Sequence, residues 1–122
     1  MTYLIDFENV NNDGLDGFEY LTVKDSLYIF YSQSTPNIRR QIAEKIFSPM
    51  MDVHLYKLYA ARKNAIDFYI ASKAGQLIEE QHPDQIAIVT KDSGFQSIAD
   101  YWSRVSEQKC RVILEKVLQT VC

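Results

Sequence analysis

The sequence predicts an α/β fold: a three-layer α/β/α sandwich built on a central, mainly parallel, five-stranded sheet. Three observations carry this expectation. Short apolar runs alternate with longer amphipathic segments from one end of the chain to the other. That strand-then-helix order folds through right-handed crossovers into a parallel sheet covered on both faces. Finally, 122 residues of which 47% are hydrophobic suffice for one continuous core, so residues 1–122 are expected to form a single domain.

Residues 2–7 open with the apolar run Tyr3, Leu4, Ile5 and reach an acid, Asp6, as a buried strand does where it emerges from a sheet. Residues 11–21 hold two glycines and several Asx residues and predict a loop with a short, weakly specified helix. Residues 27–31 form the second strand. A helix follows, with Thr35 as N-cap, Pro36 at the first helical position and Ile38, Ile42 and Ile46 at one-turn spacing, ended by Ser48 and Pro49. Residues 53–59 are β-branched and aromatic but interspersed with polar residues, which predicts a strand near the sheet edge. From 64 to about 80, Ile66, Ile70, Ala74 and Ile78, with Tyr69 and Leu77 beside them, mark one face of a long helix that Pro83 closes. Residues 86–90 are an unbroken apolar run suited to the sheet centre. A further helix turns Phe95, Ile98, Ala99, Trp102 and Val105 to the core, and residues 112–114 supply the last strand.

Composition excludes several classes of function. The apolar runs are too short to cross a bilayer, and no basic segment followed by an apolar core opens the chain, so a cytoplasmic protein without membrane association is expected. Two cysteines, Cys110 in an apparent strand and Cys122 at the last position, make neither a disulfide framework nor a zinc spacing. His54 and His82 stand far apart and read as a strand and a turn histidine. A formal net charge of −3 argues against a basic coat for duplex binding, yet leaves room for a local basic rim around an acidic site.

Three acids are expected at one edge. Asp6 ends the first strand, Asp92 follows the apolar run 86–90, and Asp67 lies in the first turn of the long helix. Open parallel sheets bind ligands beyond the C-terminal ends of their strands, where the strand order reverses. Were the first and fourth strands neighbours, their backbones would lie roughly 5 Å apart. Carboxylates so close must protonate, find cations or bind a metal ion. An all-oxygen set favours a hard ion, Mg²⁺ or Mn²⁺, over zinc, and such an ion activates water for phosphodiester hydrolysis.

The segments LIDFENVN, KNAIDFYIASKAG and IVTKDSGFQSIADYW resemble, in the same order, the three acidic motifs of PIN-like ribonucleases, especially the NYN branch and related bacterial PIN-like proteins. By that resemblance Asp6 and Asn9 match the opening Asp-x-x-Asn motif, Asp67 the acid at the start of the central helix, and Asp92 the acid after the fourth strand. The resemblance implies a magnesium- or manganese-dependent ribonuclease acting on single-stranded or loop RNA. One position departs from it: many relatives carry a second acid two residues after the one matching Asp92, where this chain has Gly94. Glu8 would compensate if the first strand ran far enough to put it on the same face as Asp6, and Ser93 would add a hydroxyl.

Each site residue also has a purely structural explanation. Asp6 could cap a loop, Asp92 could be the N-cap of the helix after it, Asp67 could pair with Asn64 in a capping arrangement, and Glu8 and Asn9 could form a turn. Substrate contacts are expected from Ser32, Ser34, Arg62, Lys63, Lys91 and Ser93, with Arg39, Arg40 and Lys73 farther out. Tyr31, Tyr59 and Tyr69 could stack on unpaired bases, although eight tyrosines in a small domain mostly serve packing. Asp13, Asp16 and Asp100 are assigned to turns and a solvent face. Two other readings stand beside the nuclease: a catalytically weak or inactive PIN-like module that binds RNA or protein, and a receiver-like phosphoacceptor. The latter fits poorly, because the third strand ends in residues 56–59 without an acceptor aspartate. A small domain with a short site would also be served by a second copy or a protein partner.

Overall fold

Alternate residues of the inner strands are buried on opposite faces, the period-two pattern of a sheet covered on both sides. The computed structural model describes residues 1–32, 37–59, 62, 64–105 and 110–118. Its five strands are β1 (Thr2–Asp6), β2 (Ser26–Tyr31), β3 (Asp52–Lys57), β4 (Gln85–Val89) and β5 (Arg111–Glu115). They pair in the order β3-β2-β1-β4-β5, and every pairing is parallel. The order reverses between β1 and β4, so the predicted sandwich and its switch point are both present. The edge position expected for the third strand is also found.

One core layer joins Tyr3, Ile5, Leu27, Ile29, Ala87 and Val89 to Ile42 and Ile46 of α2 (Arg40–Ile46) and to Phe7 and Val10 of the single turn α1 (Phe7–Val10). The other joins Leu4, Tyr28, Phe30, Ile86 and Ile88 to Ile70, Ala74, Leu77 and Ile78 of α3 (Ala65–Gln81), with Phe95 at the foot of α4 (Gln96–Val105). Ile98 and Trp102 of α4 pack against that second layer. At Gly75, a Cβ would stand 3.2 Å from the Trp102 ring, so the glycine lets α4 approach α3 closely.

Several boundaries differ from the expectation, each for a local reason. Helix α2 begins at Arg40; Thr35 and Pro36 lie outside the described residues. Ile38 and Arg39 are described and precede the helix, because the Asn12 side chain clamps the backbone there: its amide donates to the Asn37 carbonyl at 2.7 Å and its oxygen accepts the Arg39 N–H at 2.8 Å. Arg39 is thereby held extended, with φ −57° and ψ 144°. The loop expected over 11–21 contains two 3₁₀ turns, Asn12–Leu15 and Phe18–Tyr20. Strand β3 stops at Lys57, and Leu58 then donates to the Tyr31 carbonyl at 2.9 Å. Val105 is 48% exposed rather than buried, since it ends α4 beyond the packed turn of Trp102. Cys110 is buried just before β5, not within it. Helix α3 closes on His82 in the left-handed conformation at φ 50°, directly before Pro83. Among the described residues no helix is long and apolar enough to cross a membrane.

Candidate functional site

The two chain segments that leave β1 and β4 meet at the switch point, and their side chains are tied together. Asp6 is the last residue of β1 and only 5% exposed. The buried Thr90, one residue past β4, donates its hydroxyl to Asp6 Oδ2 at 3.1 Å and accepts the Asp92 N–H at 3.1 Å. A single hydroxyl therefore links the two acids. Asn9 adds a second tie, its Oδ1 accepting the Lys91 N–H at 2.6 Å. The chain turns directly from β1 into α1, and this brings Asn9 back over the β4 exit.

Asp67 reaches the same edge from the first turn of α3. Asn64 precedes that helix in the left-handed region at φ 61°, a conformation asparagine tolerates better than most residues, and its side chain makes no capping bond. The alternative of a capping arrangement with Asn64 is thus not found, and Asp67 is half-buried on the cleft wall instead. That cleft, about 530 Å³, is lined by Asp6, Glu8, Asn9, Ser32, Arg62 and Asp67, together with Leu58 and residues 64–66.

The electrostatics record the crowding of like charges. Burial, reinforced by the carboxylates of Asp67 and Asp92, pushes the Asp6 carboxyl from its ordinary 3.8 up to about 6, although the Thr90 hydroxyl and the nearby Asn9 N–H pull the other way. Asp67 is also raised, first by burial and then by Asp92. Three acids remote in sequence therefore act on one another across the site. Even so, among the described residues no three Asp, Glu, His or Cys side chains are grouped closely enough to hold one metal ion.

The other residues singled out in the sequence are spread along this edge. Glu8 does stand in the cleft, but not by sharing a strand face with Asp6. The strand ends at Asp6, and the helical turn Phe7–Val10 carries Glu8 toward β2, where it accepts the Ser32 N–H at 2.8 Å. Asp92 also fulfils its structural role: its Oδ1 accepts the Gly94 N–H at 2.9 Å and caps the 3₁₀ turn Ser93–Phe95. At Gly94 a Cβ would lie 3.1 Å from that same oxygen, so a larger residue there would press on Asp92. Arg62 is exposed on the cleft wall, whereas Lys91, Asp92 and Ser93 are exposed beside it and outside its lining. Lys63 and Ser34 fall outside the described residues. Arg39 pairs with Asp13 at 3.5 Å and Arg40 with Glu44 at 3.0 Å, so both are engaged on the surface. Tyr31 packs against the first core layer, while Tyr59 is 90% exposed.

Thr90 was not anticipated. Its only mark in the sequence is a hydroxyl residue closing the apolar run before Lys91-Asp92, and what it does there depends on the β1–β4 pairing.

Residues 1–111 match the model of the PIN domain family. This chain belongs to that family. The match spans β1 to β4 and ends at the first residue of β5, and it does not single out the NYN branch. No curated protein and no solved structure matches the chain significantly. PIN domains are typically nucleases and generally use divalent metal ions. The acidic edge described above is where such chemistry would belong in an open parallel sheet.

Proposed function

We propose that this PIN domain is a Mg²⁺- or Mn²⁺-dependent ribonuclease that hydrolyses phosphodiester bonds of single-stranded or loop RNA at the edge where Asp6, Asp67 and Asp92 face one another. One observation carries the reading: Asp6 is buried at the switch point, and its carboxyl is raised first by that burial and further by Asp67 and Asp92. A protein that needed no cation there would gain by replacing at least one of these acids.

The donor chemistry suits a hard divalent ion, with carboxylates and an amide oxygen and neither imidazole nor thiolate. Since among the described residues no three acids are grouped for direct coordination, the ion would be held through one or two carboxylates, Asp6 first, with waters completing its shell as magnesium prefers. When bound, it supplies a more acidic water and neutralises charge on the phosphate. The chain's own residues do the rest. Thr90 fixes the Asp6 oxygen, Asn9 holds the Asp92 loop against β1, and Glu8 secures the start of the segment after β2. Arg62 and Ser32 line the cleft and would meet the phosphate there, with Lys91 and Ser93 outside its lining, and Lys63 from outside the described residues, as further candidate contacts.

A second reading, a PIN module that binds RNA or protein without turnover, is favoured by two specific features: the lack of a ready three-acid cage among the described residues and the tight fit of Gly94 against Asp92. Purified protein incubated with single-stranded RNA separates the two. The ribonuclease cleaves with Mn²⁺ or Mg²⁺, stops with chelator and is crippled by Asp92→Asn; undiminished cutting by that variant rejects the assigned site, and association without cleavage selects the binding module.

A further inference from the structure

We propose that the groove between α3 and the edge strand β3 is a subsite for one unpaired nucleotide of an RNA strand, its base against Tyr69 and its phosphate at Lys73. The choice of RNA as occupant rests on the ribonuclease reading.

Helix α3 packs over β1 and β2, and its flank beside β3 leaves a groove of about 320 Å³. Phe30, Tyr56, Tyr69, Ser72, Lys73 and Gln76 line it. Its floor is the cross-strand pair Phe30 and Tyr56, rings 5.3 Å apart at 17°, and the stack continues beyond the groove to Tyr28 and His54, 4.6 Å apart at 8°. Lys73 Nζ sits 5.1 Å from the Tyr56 centroid and 5.3 Å from that of Tyr28. Its hydrogen-bond partner is the neutral Gln76, at 3.0 Å, and among the described residues it forms no ion pair. The cation is therefore positioned by rings and an amide, and its charge is left for an incoming anion. At the mouth stands Tyr69, 43% exposed, a flat amphipathic surface in a place where packing does not require one.

This combination suits a nucleotide better than a protein segment. An apolar helix laid in the groove would bury the Lys73 charge without an anion, and an acidic peptide would use the lysine but leave the ring unmatched. A base with its phosphate uses both. Position supports the same occupant. Two residues along β2 lead from Phe30 to Ser32, and two along the neighbouring chain lead from Tyr56 to Leu58, passing from groove to acidic cleft in roughly 7 Å of strand. A strand lying along this seam would keep one nucleotide in the groove while a neighbouring phosphodiester faces Asp6 and Asp67.

The test is fluorescence anisotropy of a labelled oligouridylate with the full chain, at low salt and with chelator present so that no cleavage intervenes. Tyr69→Ala is expected to weaken binding about tenfold and Tyr69→Phe to leave it intact. Lys73→Gln should weaken it as well and flatten the slope of log affinity against log salt by about 0.7. An abasic strand should lose the dependence on Tyr69 and keep that on Lys73. Parental affinity in folded Tyr69→Ala and Lys73→Gln overturns the subsite, as does the absence of NMR shifts at Tyr69, Ser72 and Lys73 when the unaltered chain is titrated with the oligomer. The ribonuclease reading is judged separately: metal-dependent cleavage with unchanged groove variants removes the subsite alone, and groove-dependent binding without cleavage in metal removes only the enzyme.

Discussion

Replacing Asp6 with asparagine should stabilise the metal-free protein, and by an amount that depends on pH. The carboxyl titrates near pH 6 in the fold against an ordinary 3.8, so the folded state holds this proton more tightly than the unfolded chain. The stability that protonated Asp6 provides is complete below pH 3.8 and is lost as pH rises through 6. The difference of about two pKa units corresponds to roughly 3 kcal/mol at pH 8, and to only about 0.5 kcal/mol at pH 4. Asparagine carries no charge, and its side-chain oxygen can still accept the Thr90 hydroxyl now bonded to Asp6 at 3.1 Å. The Asp6→Asn variant should therefore gain roughly 2.5 kcal/mol over the parent between pH 4 and pH 8, a urea midpoint shift of about 1 M. Urea unfolding of both proteins in chelator, across that range, measures it. A stability difference that stays flat with pH would refute the reasoning, because a carboxyl buried at this edge and facing the charges of Asp67 and Asp92 cannot ionise without cost.

Other perturbations read the same framework. Asp67→Asn removes one of the charges that raise Asp6, so the Asp6 titration followed by carbonyl NMR should move toward 3.8; an unmoved midpoint would show that the two acids do not sense each other. Thr90→Val keeps the shape but deletes the hydroxyl that links Asp6 to the Asp92 N–H, which should cost about 1–3 kcal/mol in chemical unfolding and move the Asp6 midpoint upward. Gly14→Ala would drive a Cβ into the side chain of the buried Val10, so a loss of about 1–3 kcal/mol is expected in thermal unfolding, and a neutral result would mean that this loop packs otherwise.

Much of the fold was legible because its signals are local. The apolar runs that became β1, β2 and β4 are buried on both faces, and that alone makes a continuous run rather than an alternating one. The polar residues scattered through β3 likewise announced an edge. Asp6 could be singled out because an acid at the end of a buried run has no packing explanation, and Asp67 because it adjoins an apolar stripe.

What escaped the sequence depends on contacts between distant residues. The entry of α2 moved to Arg40 because Asn12, from another loop, holds the backbone at residues 37 and 39. Glu8 was placed by extending β1, but a helical turn carries it to Ser32 instead. Thr90 gains its role only when β4 lies beside β1. The aromatic floor beside α3 needs the β2–β3 register, which pairs Tyr28 with His54 and Phe30 with Tyr56. No spacing along one strand reveals such pairs.

The claim on which the account turns is that Asp6, Asp67 and Asp92 form a place for a divalent cation, and calorimetric titration of the chain with Mn²⁺ tests it without any substrate. The account predicts saturable binding that weakens sharply in both Asp6→Asn and Asp67→Asn. Heats indistinguishable from dilution at millimolar Mn²⁺, in a protein whose circular dichroism shows it folded, would contradict it.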